Sequence, residues 1–451
     1  MCCTSTSTIP VPGDMRNTVF RRNVVHVNRI RRAPLISGWA LVLACASASC
    51  AETPDADLAQ ADAAAIVDAQ SPRDLAGVVE QMMPALERLS GLDRLETLRV
   101  RRQSRDGARA YVEARLDEEM TPAERDAVRR TYVALGLLAD TLDLDALLLD
   151  LYTEQVLGYY DPKERTLFVV SGEDVEDLQP VIAHELVHAL QDQHTDLDSL
   201  VAGDRGNDRQ MAAHAALEGH AMLVMFALLA EQATDATVDP AALPDPALEL
   251  GPAMEAQNEE YPVFRRAPPV IRETLLFPYL HGVSFVHALW SARRPLARYP
   301  APLDSLLPQS TEQVMNPIDR FILERDEPTI VELDGLPAGW RIEREDEFGQ
   351  LETAIFLEQH LGAAGRAAAE GWDGDRYALL VGAAGAEVVW WRSVWDTGAH
   401  ADAFGAAVRR AAVARGDRDV TVTRVDVDGR PGVTVVDAPA GTDTSLLHAD
   451  G

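Results

Sequence analysis

The segment VIAHELVHAL, residues 181–190, contains two histidines four positions apart, with a glutamate directly after the first. Each residue of an α-helix turns by about 100°, so His184 and His188 would lie one turn apart on the same face. Imidazoles in this arrangement can bind one zinc ion, and Glu185 lies beside them to take a proton from a water molecule that zinc activates. The segment therefore predicts the active-site helix of a zinc hydrolase.

A motif of this length also arises by chance in roughly a few per cent of chains of this size. The alternative interpretation is a surface helix with scattered polar residues. The neighbouring Val181, Ile182, Val187 and Leu190 are apolar, which disfavours a surface helix and favours a buried one. Residues elsewhere in the chain must then complete the metal site.

The composition is that of a globular, strongly acidic protein. The 451 residues are 47% apolar and 25% charged, and this length predicts two or three domains. The formal net charge of −31 disfavours nucleic acid and anionic membrane surfaces as partners. The four cysteines are Cys2, Cys3, Cys45 and Cys50. The chain after residue 50 therefore has no disulfide framework, no thiol nucleophile and no cysteine ligand.

The first fifty residues predict export from the cell. A basic stretch at 21–32 precedes a short apolar core at 33–44 and then small residues, which is the pattern of an export signal. Cys45 or Cys50 resembles the lipid-attachment site of a bacterial lipoprotein, so any membrane attachment would be through an N-terminal lipid. The expected location is extracellular, periplasmic or at the cell surface. The alternative is an uncleaved N-terminal anchor.

A catalytic zinc ion needs a third protein ligand, and two residues compete for that role. We favour Glu218, within the segment AALEGHA at 215–221, where Gly219 would allow close helix approach. The arrangement resembles the gluzincin metallopeptidases, whose third ligand is a glutamate on a following helix. The alternative is His194, six residues after His188, as in the metzincins. Those proteins need a glycine midway, and Gln191 at that position favours continued helix instead.

Three segments together resemble a family of secreted bacterial gluzincin-like metallopeptidases: TEQVLGYYDP at 153–162, AHELVHALQDQH at 183–194 and FPYLHGVSFV at 277–286. The resemblance covers roughly residues 130–290. It implies a zinc peptidase fold with one zinc ion and names four site residues: the ligands His184, His188 and Glu218 and the general base Glu185. It does not supply a substrate.

The predicted fold class is α+β, with a mainly helical zincin-like metallopeptidase domain and a smaller C-terminal α+β domain with an antiparallel sheet. The predicted divisions are an export signal at 1–50, a flexible tether at 51–70, an N-terminal helical region at 71–135, the metallopeptidase domain at 136–327 and the C-terminal domain at 328–451.

Periodicity and turn residues predict the secondary structure. The predicted helices lie within 71–157 and at 179–194, 208–232, 270–290 (interrupted at Pro278 and Gly282), 348–361 and 401–414. The predicted strands lie at 97–101, 166–170, 329–333, 377–381, 387–394 and 433–436. A strand just before the active-site helix would form a short hairpin or sheet, able to pair with an extended peptide.

Peptide hydrolysis also needs a donor that stabilises the oxyanion as it forms. Tyr279 and His281 are the candidates, and His220 and Tyr160 are weaker ones. His214 lies one helical turn before Glu218 and is either another ligand or a neighbour that orients one.

The sequence therefore predicts zinc-dependent hydrolysis of a peptide or protein substrate, with Glu185 as the general base. One alternative is a cell-surface binding lipoprotein with a peptidase fold that retains zinc but is inactive. Another is a non-catalytic domain in which the histidine motif is accidental.

Overall fold

A computed structural model describes residues 72–447, except residues 173, 201–204, 249, 252, 253, 255–260, 334, 337, 383, 384 and 417. The predicted export signal, with Cys45 and Cys50, and the predicted tether lie outside the described residues. The described residues form an α+β fold with two sheets, in agreement with the predicted class.

The long helices are, in chain order, α1 (Pro72–Ser90), α2 (Arg105–Glu119), α3 (Pro122–Ala134), α4 (Leu144–Gln155), α5 (Gln179–His194), α6 (Asn207–Thr234), α7 (Pro269–Ser291), α8 (Gly349–Leu361) and α9 (Gly398–Arg415). Shorter helical segments include Leu197–Leu200, Pro240–Ala242, Pro262–Arg266, Asp304–Leu306, Thr311–Met315, Pro317–Leu323 and Ala363–Arg366. The predicted helices are confirmed, with their ends shifted by a few residues.

The strands form two sheets. In the first, β3 (Thr166–Val170) lies between β1 (Arg99–Gln103), which is parallel to it, and β2 (Gly158–Asp161), which is antiparallel. The prediction that β3 could pair with an extended peptide is wrong, because both of its edges are already paired. The second sheet is antiparallel in the order β4-β5-β6-β8-β7, with strands β4 (Trp340–Asp346), β5 (Trp372–Gly382), β6 (Glu387–Trp395), β7 (Arg418–Val427) and β8 (Arg430–Pro439). This sheet confirms the antiparallel sheet that the C-terminal sequence predicts.

The strand predicted at 329–333 is wrong. Thr329 donates its N–H to the carbonyl of Asp373 at 2.6 Å, but the following residues belong to no strand, and Ile330 is 83% exposed. Their β-branched side chains favour a strand, but a strand also needs a neighbour with free hydrogen-bonding groups. Strand β4 pairs with β5 only from Tyr377 to Gly382, and Thr329 lies beside the part of β5 that β4 leaves open. One backbone hydrogen bond there is too few to make a strand of the segment.

Helix α5 is buried over most of its length. Pro180 lies in its first turn, where the missing N–H has no helical partner to lose. All residues from 181 to 191 are buried, and α5 packs against α1, α6 and β2. The two histidines of the motif therefore lie inside the protein, as the apolar neighbours in the sequence predict.

Helices α6 and α7 cross at two glycines. A Cβ atom at Gly219 would lie 2.0 Å from the carbonyl carbon of Gly282, and one at Gly282 would lie 2.1 Å from the carbonyl oxygen of Ala215. The expected close approach at Gly219 is confirmed. Helix α7 is continuous, so the interruptions predicted at Pro278 and Gly282 are wrong. Packing of α7 along α6 outweighs the hydrogen bond lost at Pro278 and the low helix propensity of glycine.

We expect Gly219→Ala to destabilise the protein by about 1–3 kcal/mol or more, because the new methyl group meets backbone atoms that can yield only if the two helices separate. It should also displace the predicted metal ligand Glu218, which directly precedes Gly219. The matched control is Gly77→Ala on α1, where an added Cβ meets nothing within 4 Å. That change should stabilise by about 0.5–1 kcal/mol. Urea unfolding and zinc titration of both variants test this, and a Gly219→Ala protein as stable as the wild type would contradict it.

The C-terminal sheet is tied to the helical part through shared packing. A single hydrophobic cluster contains side chains on both sides of residue 328, including Leu186, Phe285, Phe348 and Trp391. The buried carboxylate of Asp375 accepts the N–H groups that begin α8 and the indole N–H groups of two tryptophans, at 2.9–3.1 Å. The predicted division at 327/328 stays a prediction.

Candidate metal centre

Three ligand-type atoms meet in the protein interior. The Nε2 atom of His184 lies 3.0 Å from Oε2 of Glu218 and 3.1 Å from Nε2 of His188. The Nε2 atom of His188 lies 3.5 Å from Oε2 of Glu218. Each of the three side chains is at most 1% exposed. Helix α5 supplies the imidazoles, one turn apart, and α6 supplies the carboxylate next to the glycine crossing. The structure thus brings together the three ligands that the sequence favours.

The spacing and chemistry of these donors fit a zinc ion. Ligand atoms 2.0–2.1 Å from a tetrahedral zinc are about 3.3 Å apart, and the separations of 3.0, 3.1 and 3.5 Å lie around that value. Two imidazole nitrogens and one carboxylate oxygen form a donor set that catalytic zinc accepts, with a fourth position left for water or substrate. His184, His188 and Glu218 would hold the ion.

The charges of the cluster also favour a cation. Burial opposes ionisation of Glu218, but His188, His184 and His214 outweigh burial and hold the pKa of its carboxyl well below the usual range. Burial would lower the pKa of His188, yet the carboxylates of Glu218 and Glu185 raise it to about 9. The site therefore stabilises a positive charge at its centre, carried either by a proton on His188 or by a metal ion.

The two oxygens of Glu218 have different partners. Its Oε2 atom faces the two histidines of α5, whereas its Oε1 atom lies 3.1 Å from Nε2 of His214, one turn earlier on α6. His214 therefore orients the carboxylate so that one oxygen is presented to the site. Of the two roles that the sequence leaves open for His214, the geometry favours the orienting one.

Glu185 is buried beside the cluster, and its two oxygens also differ. The backbone N–H of Tyr160, on β2, donates to Oε2 at 2.8 Å, whereas Oε1 is buried and has no hydrogen-bond partner among the described residues. Burial raises the pKa of Glu185 to about 8, and nearby His188 and the Tyr160 N–H oppose that shift. One oxygen is thus held in place by β2 while the other is free to exchange a proton, as a general base requires.

His194 does not join the cluster. It is exposed at the end of α5, and its Nε2 atom donates to the carbonyl oxygen of Asp93 at 2.8 Å. Because α5 stays helical through Gln191, the chain does not turn back towards the metal ligands. Of the two third-ligand candidates, the structure brings only Glu218 to the histidine pair.

The candidate oxyanion donors lie in different places. Tyr279 is buried, with its ring centroid 6.4 Å from that of His184. His281 follows Tyr279 by two positions on α7, so the two side chains point in nearly opposite directions. The ring of His281 stacks on that of Phe277, with their centroids 4.9 Å apart. The hydroxyl of Tyr160 donates to Asp192 at 2.8 Å. Tyr279 is therefore the candidate whose ring lies beside a predicted ligand, His184.

Sequence reasoning missed the part that Gln191 takes in the site. Its carboxamide lies 2.9 Å from Nδ1 of His188 and 2.9 Å from Nδ1 of His220, which is itself bonded to the carbonyl oxygen of Ser90. Gln191 follows His188 by three positions, a spacing that puts both on one helix face. That spacing was a usable signal, whereas nothing local in the sequence links His220 to either residue.

Comparison with known proteins leaves the centre without a relative of known activity. Residues 340–450 match a family described as "Domain of unknown function (DUF8575)", and this match spans the second sheet. No curated protein matches the chain. A solved structure from Chloroflexus aurantiacus, described as "a putative hydrolase with a novel fold", is 17% identical, with a TM-score of 0.34 over 56% of this chain and 90% of that chain. That TM-score is too low to indicate a shared function.

Proposed function

We propose that this protein is a zinc-dependent peptidase with a zincin-like catalytic domain. The observation that carries the proposal is the meeting of His184, His188 and Glu218 around one point. In the part of the chain that the structure describes, the buried Oε1 atom of the adjacent Glu185 also has no hydrogen-bond partner. Ligands for a metal and a separate carboxylate for proton transfer are the two parts that metal-assisted hydrolysis requires.

Zinc, when bound, supplies Lewis-acid chemistry that makes a water molecule nucleophilic near neutral pH. The protein's own residues do the rest. Glu185 takes the proton from the attacking water through its Oε1 atom, while the Tyr160 N–H holds Oε2. The carboxyl group then passes that proton to the nitrogen of the leaving amine, so that Glu185 returns to its starting state.

A peptide as the substrate is supported by the resemblance of the sequence to gluzincin-like peptidases rather than by the first sheet. All four residues of strand β2 are buried, and the N–H of Tyr160 on its outer edge already donates to Glu185. The first sheet therefore offers no argument for pairing with an extended peptide. Tyr279 is the proposed donor to the oxyanion, since its buried ring lies 6.4 Å from that of His184.

Metal removal tests the proposal. Purified protein should contain about one zinc ion per chain, and it should cleave members of a broad peptide library. Dialysis against a chelator should abolish cleavage, because without the cation nothing lowers the pKa of the water, and added zinc should restore it. Elemental analysis measures the zinc content, and mass spectrometry of the peptides measures cleavage.

The two rival functions give different results. A binding lipoprotein with an inactive peptidase fold would contain zinc but cleave nothing, even in single-turnover assays at high protein concentration. An accidental histidine motif would leave the protein without zinc after gentle purification and after titration with zinc. Either outcome overturns the proposed function.

A further inference from the structure

A chain of buried hydrogen bonds connects α1 to one of the metal ligands. The carbonyl oxygen of Ser90 lies 2.9 Å from Nε2 of His220, whose Nδ1 lies 2.9 Å from Nε2 of Gln191. The same Nε2 donates to the carbonyl oxygen of Leu217 at 3.0 Å, and Oε1 of Gln191 lies 2.9 Å from Nδ1 of His188. Apart from the carbonyl groups, all the links are side chains at most 1% exposed.

The partners fix the direction of every bond in this chain. A carbonyl oxygen can only accept, so the carboxamide nitrogen of Gln191 must face Leu217 and its oxygen must face His188. By the same reasoning, the ring of His220 donates from Nε2 to Ser90 and accepts at Nδ1 from Gln191. The oxygen of Gln191 then accepts the Nδ1–H of His188. The lone pair of that imidazole is left on Nε2, the atom that faces His184 and Glu218.

We propose that Gln191 is a positioning residue, which holds His188 in the tautomer and ring orientation that present Nε2 to a metal. This inference rests on the proposed zinc site, although it needs no assumption about hydrolysis. The alternative is a purely structural role, in which Gln191 only supplies hydrogen bonds to buried polar groups. Partners that orient a ligating imidazole typically contribute 10- to 100-fold to metal affinity, whereas a purely structural glutamine would change stability and leave affinity unchanged.

Two substitutions at this position separate the roles. Gln191→Met keeps the approximate volume but removes the acceptor for His188 Nδ1, so zinc affinity should fall by about 10- to 100-fold. Gln191→Glu keeps an acceptor at that atom while losing the donors to Leu217 and His220. Its zinc affinity should lie within about tenfold of the wild type and clearly above that of Gln191→Met. Without metal, the melting temperature of Gln191→Glu should nevertheless fall at least as far as that of Gln191→Met.

The control is Gln193→Met, the same change two residues later on α5. Gln193 accepts the N–H groups of Leu95 and Glu96, whereas His188 bonds to Gln191, so zinc affinity should stay unchanged. Zinc dissociation constants are measured by competition with a chromophoric chelator, and melting temperatures are measured on the metal-free proteins.

Unchanged zinc affinity in Gln191→Met, or equal losses in the Met and Glu variants, would overturn the positioning role. A wild-type protein that binds zinc but cleaves no peptide would overturn only the proposed function. A wild-type protein that binds no zinc would overturn both.

Discussion

Glu185→Gln should retain zinc and lose peptide hydrolysis by at least about 10²- to 10⁴-fold, which is the usual contribution of a general base. Glutamine can still accept the Tyr160 N–H with its carboxamide oxygen, so the position of the side chain is preserved. It cannot, however, take a proton from water or deliver one to the leaving amine. Zinc content and the turnover number on one library peptide measure the two effects separately.

The matched control is Glu113→Gln on the exposed face of α2, which should change neither quantity. A Glu185→Gln protein with nearly wild-type turnover would exclude the mechanism. Loss of zinc from the same variant would instead indicate that Glu185 supports the metal site, because none of its oxygens belongs to the ligand cluster.

Local sequence was sufficient to predict the central helix and its two histidines. The i, i+4 spacing puts His184 and His188 on one face whatever the surrounding fold, and the apolar neighbours predict burial. Glu218 could be predicted only as one of two candidates, because its distance from the histidines depends on how α6 packs against α5. The glycine beside it was the one local sign of that packing, and Gly219 does lie at the crossing of α6 and α7.

Features that depend on distant neighbours could not be predicted. The charged sequence of β4 lacks the apolar alternation of a strand, yet β4 pairs with β5 on both sides of an irregularity at Glu343. The residues at 329–333 favour a strand by propensity, but only Thr329 bonds to the backbone of β5 and the segment forms no strand. The link from His220 to Gln191 joins residues 29 positions apart on different helices. Each case was decided by tertiary contacts rather than by local propensity.

Glu218→Gln should reduce zinc affinity by more than about 100-fold, and hydrolysis should fall with it. A residue that binds the metal directly should matter more than one that orients a ligand, for which 10- to 100-fold is typical. The carboxamide keeps the size of the side chain and can still face His214, but it removes the negative charge that lies 3.0 Å from His184 and 3.5 Å from His188. Chelator competition with the wild type and the variant measures the difference.

His194→Ala is the comparison that makes the Glu218 result specific, because His194 is the other third-ligand candidate. Its imidazole is exposed and bonded to the Asp93 carbonyl, so the substitution should cost about 0.5–1.5 kcal/mol of stability at most. Zinc affinity and turnover should both remain those of the wild type. The reverse pattern, with zinc lost from His194→Ala and kept by Glu218→Gln, would mean that α5 unwinds at its end to bind the metal. The ligand set proposed from α6 would then be wrong.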